Sequence, residues 1–145
     1  MRVALLNGEP IFFDCLKLLF KDSNFVVVRS FDQTLDEFDQ IATLRPDIVL
    51  CDNRSASELD TLAERLDKSG TDVPMVFIRL DAADPAMLRL LDHPRPSGFV
   101  SLTAASATLL TALEIVSKGG HFVDPALKAA VEKQPGSENV IPFKS

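Results

Sequence analysis

The chain has 145 residues, 46% of them hydrophobic and 25% charged, and a formal net charge of −6. That length and balance suit one soluble globular domain with one core and leave no room for two ordinary domains. The acidic excess without any Lys/Arg cluster argues against direct contact with nucleic acid, and no apolar run approaches the ~20 residues of a membrane span.

From the N-terminus, the apolar run 3–6 breaks at Asn7-Gly8. It is too short for a signal peptide and lacks a cleavage site, so a cytoplasmic location is expected. Pro10 suits the first turn of a helix whose Phe12, Cys15, Leu16 and Leu19 share one face. A second strand-like run, 25–28, is followed by a capping box, Thr34-x-x-Glu37, that opens a helix with Leu35, Phe38 and Ala42 on one side. The run 47–51 comes next, then Ser55-x-x-Glu58 as a cap and the full helical stripe Leu59, Leu62, Ala63 and Leu66. After the run 75–78, Pro85 precedes a shorter stripe of Met87, Leu90 and Leu91. The run 98–100 leads into Leu109, Ala112, Leu113 and Val116, a stripe ended by Gly119-Gly120.

The short runs are rich in β-branched and aromatic residues and lack alternation, as expected of strands buried on both faces. Five strands alternating with five helices predict an α/β fold, a flavodoxin-like doubly wound five-stranded parallel sheet of order 2-1-3-4-5 with helices on both faces. The tail from Gln134 to Ser145 has neither period and is expected to be loose; its apolar patch Val140-Ile141-Pro142-Phe143 is a candidate for docking on a partner. Cys15 and Cys51 are too few and too far apart for a zinc site or a disulfide framework, and are expected to be reduced and mostly buried.

In an open parallel sheet, sites form beyond the carboxyl ends of the strands. That rule nominates Asn7-Gly8-Glu9, Ser30 and Phe31, Asp52-Asn53-Arg54, Arg79, and Ser101-Leu102. Asp52 stands out, because a carboxylate at the end of a wholly apolar strand sits where a phosphoryl acceptor or a metal ligand belongs. The plainer reading makes it a cap for the next turn. His93 and His121 lie in Pro- or Gly-flanked sequence, and no phosphate loop, Ser-His-Asp set or HExxH occurs. No enzymatic activity is expected.

Several segments resemble the receiver domain of two-component response regulators, the CheY-like fold, in order and spacing. They are Arg2-Val3-Ala4-Leu5-Leu6 followed by Pro10, the stretch Leu44-Arg45-Pro46-Asp47-Ile48-Val49-Leu50-Cys51-Asp52, and Val73-Pro74-Met75-Val76-Phe77-Ile78. Ser97-Gly98-Phe99-Val100 and the stretch from Gly119-Gly120-His121 to Leu127 are most similar to the NarL/FixJ branch. The resemblance implies a receiver-like domain over 1–128 and a C-terminal extension over 129–145, with no helix-turn-helix output domain in this chain.

Active receivers of this family hold magnesium on two acidic residues after the first strand, and carry an acceptor Asp, a Thr or Ser, and a Lys after the third, fourth and fifth strands. Carried over by position, the acid pair falls on Asn7 and Gly8, with Glu9 the nearby carboxylate. The acceptor is kept as Asp52, the hydroxyl position holds Arg79, and the Lys position holds Leu102. Magnesium requires near-octahedral oxygen coordination, and Glu9 with Asp52 make a poor cage for it. The resemblance therefore implies a degenerate pocket that takes magnesium only if it is still active, with Arg79 poised to pair with Asp52 in place of phosphate chemistry. Phe99 stands at the position of the family's switch aromatic; packing in the core is the plainer role. The expected function is phosphorylation-independent protein–protein interaction or homodimerisation, the alternative being a phosphorelay receiver still modified on Asp52. Expected partners are a histidine kinase, a phosphotransfer protein or another regulator, on the face of helix 87–91, strand 98–100 and helix 109–116 or on that of helices 12–19 and 109–116.

Overall fold

The computed structural model describes residues 1–6, 10–31, 38–51, 64, 68, 73–80, 97–101 and 104–132. Strands β1 (Arg2–Leu6), β2 (Val26–Phe31), β3 (Ile48–Cys51), β4 (Met75–Leu80), β5 (Ser97–Ser101) and β6 (Phe122–Val123) form one sheet of order β2-β1-β3-β4-β5-β6. Every pairing in it is parallel. The doubly wound arrangement matches expectation for the first five strands. The count does not: the sheet has six strands, not five. Phe122-Val123 is too short to show any period, and becomes a strand only because β5 offers it an open edge.

The strand side chains divide by parity, as the two-residue repeat requires. Val3, Leu5, Val27, Ile48, Leu50, Val76, Ile78 and Val100 form one buried cluster with helices α1 (Pro10–Leu19) and α3 (Ser106–Ser117). From α3 that cluster takes Leu109, Ala112, Leu113 and Val116, the four residues of the expected stripe. Gly98 lets α3 approach closely, for a Cβ there would lie 3.1 Å from Val116 and 3.3 Å from Val76.

The expected α1 face is rotated. Leu16 and, just beyond the helix, Phe20 are buried, Phe12 and Leu19 are half-buried, and Cys15 is exposed. The expectation of two mostly buried thiols therefore holds for Cys51 and fails for Cys15. Helix α1 is apolar on nearly every side, so spacing alone does not select the inward one; Ile11 and Leu18 remain 73% and 75% exposed.

Helix α2 (Phe38–Leu44) buries Ile41 completely, outside the α1–α3 cluster. It stops at Arg45, whose φ of 51° is left-handed, followed by Pro46. The Arg2 guanidinium donates to the carbonyls of Leu44 at 2.9 Å and Arg45 at 3.2 Å, pinning a helix C-terminus to the start of β1. Helix α3 ends as its Gly pair predicts. Gly119, at φ 87°, donates to Val116 and Gly120 donates to Ile115, the paired bonds of a Schellman cap.

A short helix, α4 (Pro125–Glu132), follows β6 and was not singled out in the sequence. The capping box at 34–37, the stripes over 59–66 and 87–91, and the tail 133–145 lie outside the described residues. Glu64 and Lys68 are helical and exposed.

The connections β1–α1–β2 and β5–α3–β6 lie over the same face but run in opposite directions across the sheet. They therefore have opposite hands. The near-universal right-handed rule fits the first, leaving the second left-handed.

Candidate functional site at the carboxyl ends of the strands

Strands β1, β3, β4 and β5 end at Leu6, Cys51, Leu80 and Ser101. Leu6 pairs with Cys51 across β1 and β3, and Cys51 with Phe77 across β3 and β4. The two chain segments entering Asn7 and Asp52 thus leave from neighbouring, register-matched strands. Leu6 and Cys51 are both buried, so the floor beneath this rim is apolar. A carboxylate beside such a floor loses hydration on one side and gains from any cation brought near it.

On β4, the pairing shifts between Phe77 and Leu80. Phe77 faces Phe99 and Leu80 faces Ser101, so three steps on β4 match two on β5. The surplus residue falls at Ile78-Arg79, which makes this a bulge in the strand that carries Arg79. Bulges bend a strand locally and re-aim the side chains beside it, and they concentrate at the rims of sites. The backbone of Arg79 lies inside β4, which runs on to Leu80, and not after the fourth strand as expected; its side chain is outside the described set. Asn7, Gly8, Glu9, Asp52 and Leu102 lie outside the described residues as well.

Phe99, the candidate switch aromatic, is buried and stacks on Phe77 with ring centroids 5.4 Å apart and planes 26° from parallel. Offset stacking of this kind adds about 0.5–1.5 kcal/mol to simple burial. The plainer role, packing in the core, matches this contact.

One residue that organises this rim escaped the sequence reading. Asp124 has a buried carboxylate that ties three parts of the rim together. Its Oδ2 accepts from the Ser101 hydroxyl at 2.6 Å and from the Ser101 N–H at 3.2 Å. Its Oδ1 accepts from the Ala126 N–H at 3.0 Å, capping α4. The Asp124 N–H in turn donates to the Phe99 carbonyl at 2.9 Å. Ser101 directly precedes Leu102, so this clasp locks the exit of β5 to the start of α4. The readable signal was Asp124-Pro125, an N-cap residue followed by proline at the first helical position.

Among the described residues, no three His, Cys, Asp or Glu side chains come together as a metal site. Two arginines, Arg2 and Arg29, border a cavity with Gln40, Thr43 and Leu44. Arg29 donates to the Gln40 side chain at 2.6 Å and Arg2 holds the carbonyls already described, so both guanidiniums serve α2. His121 is exposed, and His93 lies outside the described residues.

No protein-family model matches the sequence, and no curated protein matches it. Solved structures do match in fold. The RcsB response regulator of Salmonella typhimurium superposes with a TM-score of 0.75 at 16% identity, covering 92% of this chain and 66% of that one. The isolated REC domain of RcsB from Salmonella enterica serovar Typhimurium, in its apo form, gives a TM-score of 0.71 at 20% identity, covering 92% of this chain and 99% of that one. ChrA, a response regulator of a heme-sensing two-component system, gives 0.65 at 18% identity, covering 99% of this chain and 68% of that one. The chain therefore spans about two thirds of the RcsB regulator but matches the isolated REC domain end to end. No helix among the described residues is long and apolar enough to cross a membrane. The fold of this chain is that of a response-regulator receiver domain.

Proposed function

We propose that the chain is a receiver-type signalling domain of the NarL/FixJ kind that acts by binding protein partners, or a second copy of itself, without depending on phosphorylation. One observation carries this reading. A receiver fold delivers its strand ends to the positions where the family keeps its working groups, and the sequence there reads Asn7 and Gly8, Arg79 and Leu102, with Asp52 alone retained. Magnesium does not fit that donor set, since two of its usual carboxylates are replaced by an amide and a glycine. The cation that neutralises the transferring phosphoryl group and the Lys that assists it are both wanting. Phosphoryl transfer to Asp52 is accordingly no part of the proposed mechanism.

In this reading Arg79 takes over the charge balance of Asp52. At ~4 Å and an effective dielectric of ~20, such a pair gains about 4 kcal/mol before desolvation is subtracted. A permanent guanidinium then holds the rim in one state. Replacing Arg79 with Thr should move the amide resonances of β3, β4 and β5; an unchanged spectrum rejects the pairing.

Partner binding has a surface to use. Ile11 and Leu18 stand seven residues apart on the outer side of α1, with Ile115 exposed on the neighbouring α3. Two turns apart on one side of the helix, Ile11 and Leu18 form an apolar ridge open to a partner. With no basic cluster in the sequence and a net charge of −6, the partner is protein and not nucleic acid or membrane. A kinase, a phosphotransfer protein or another regulator all supply such a surface. RcsB dimers have been described bound to DNA; for this chain a homodimer without DNA contact is the corresponding assembly.

The deciding experiment is intact mass after incubation with acetyl phosphate, with and without magnesium, using Asp52→Ala as control. No adduct on the folded protein is expected. A magnesium-dependent phosphate adduct absent from Asp52→Ala restores the phosphorelay reading.

A further inference from the structure

Between α1 and α3, a groove of about 290 Å³ opens over the ends of β4 and β5. Among the described residues its walls include Phe12, Cys15 and Leu19 from α1, Val100 from β5 and Leu109 from α3, and Ser101 lines it as well. No charged side chain is among them. The volume lies at the floor of the ~300–1,000 Å³ typical of small-molecule sites, and among the described residues the polar side chains of the lining are only Cys15, Ser101 and Ser106. The chemistry suits a few aliphatic or aromatic side chains of a peptide.

We infer that this groove is the docking site for the chain's own segment Val140-Ile141-Pro142-Phe143. Three observations lead there. The first is attachment: Ser101 lines the groove and is hydrogen-bonded to Asp124, so α4 begins beside it. The second is reach. Helix α4 has eight residues, about 12 Å at 1.5 Å per residue. The linker 133–139 spans up to about 24 Å when extended, enough to cross back over the helix. The third is composition. That linker is Lys-Gln-Pro-Gly-Ser-Glu-Asn, wholly polar, and 140–143 is the only apolar run after α4.

A short tether raises the effective concentration of such a segment to the millimolar range, so even a weak apolar contact is populated within one molecule. Docked there, the segment borders the Ile11/Leu18 ridge and competes with any partner that approaches this flank. The inference stands on the groove and the chain path, independently of the receiver reading, and its readout is independent of phosphorylation and partner binding.

Cys15 supplies that readout, because it is exposed yet lines the groove, whereas Cys51 is buried and serves as the internal reference. Full-length protein and the full-length double variant Ile141→Glu, Phe143→Glu are treated with N-ethylmaleimide, and modification of each cysteine is followed by peptide mass. The variant should react at Cys15 about tenfold faster, equivalent to about 1.4 kcal/mol of docking free energy. A synthetic peptide of residues 133–145 should slow the variant again. Equal Cys15 rates in the two proteins overturn the inference. So does protection of the wild type that disappears on dilution, which assigns the groove to a second copy of the chain.

Discussion

The two edges of the sheet are built by opposite means. At the β2 edge, five of the six residues of β2 pair along the whole of β1, the register skipping Val28, and Phe25 and Val27 are buried against α1 and its neighbours. At the β6 edge, only two half-buried residues pair with β5, and what holds them is the Asp124 clasp to Ser101 and Phe99. A long edge strand is stabilised by area removed from water, spread over many weak contacts. A two-residue strand has little area to bury, so a few directional bonds to one carboxylate carry the edge instead. The first design tolerates loss of any one contact, and the second does not.

That contrast is open to test, beginning with the largest effect. Leu113→Ala empties a fully buried position in the core that both helices share. It should cost about 2–5 kcal/mol and lower the urea midpoint, with both edges losing exchange protection together. Unequal loss would show that the two edges do not share one cooperative core. Asp124→Ala should cost about 1–2 kcal/mol and expose its effect locally. Amide exchange should rise across 122–130 and leave 26–31 unchanged, while Asp124→Asn, which keeps an acceptor for the Ala126 N–H, should lose less. A uniform rise over the whole sheet would contradict a local clasp. Val26→Lys, on the exposed side of β2, should change stability by less than about 0.5 kcal/mol. A larger loss by thermal melting would mean that the β2 edge also depends on single contacts.

The parts of this fold legible in the sequence are those where local spacing and local burial coincide. In α3, the residues at the helical period are the ones that face the sheet, and the Gly pair ends the helix as its backbone freedom predicts. In α1 the same reasoning misplaced Cys15, because Ile11, Phe12, Phe13, Leu16, Leu18 and Leu19 surround the helix with apolar side chains. There the inward side is selected by the fit of Leu16 and Phe20 into the core. The candidate site divides similarly. That Asp52 follows a wholly buried strand was readable from run lengths, whereas Arg79, expected beyond the run 75–78, lies inside β4, which extends to Leu80. The bulge at 78–79 was not readable either, since it exists only in the register between β4 and β5.

By itself, then, the sequence determined a parallel α/β domain, the order of its first five strands, the buried face of α3, and which residue types occupy the strand ends. Each of these follows from short-range periodicity and from the rules of parallel connections, which act on segments a few residues long. Only the tertiary structure decided the sixth strand, the opposite hand of its crossover, the exposed thiol of Cys15 and the union of Ser101 with Asp124. Those features depend on residues such as 101 and 124, far apart in the chain. Their contact arises when the open edge of β5 and a buried carboxylate satisfy each other's hydrogen bonds.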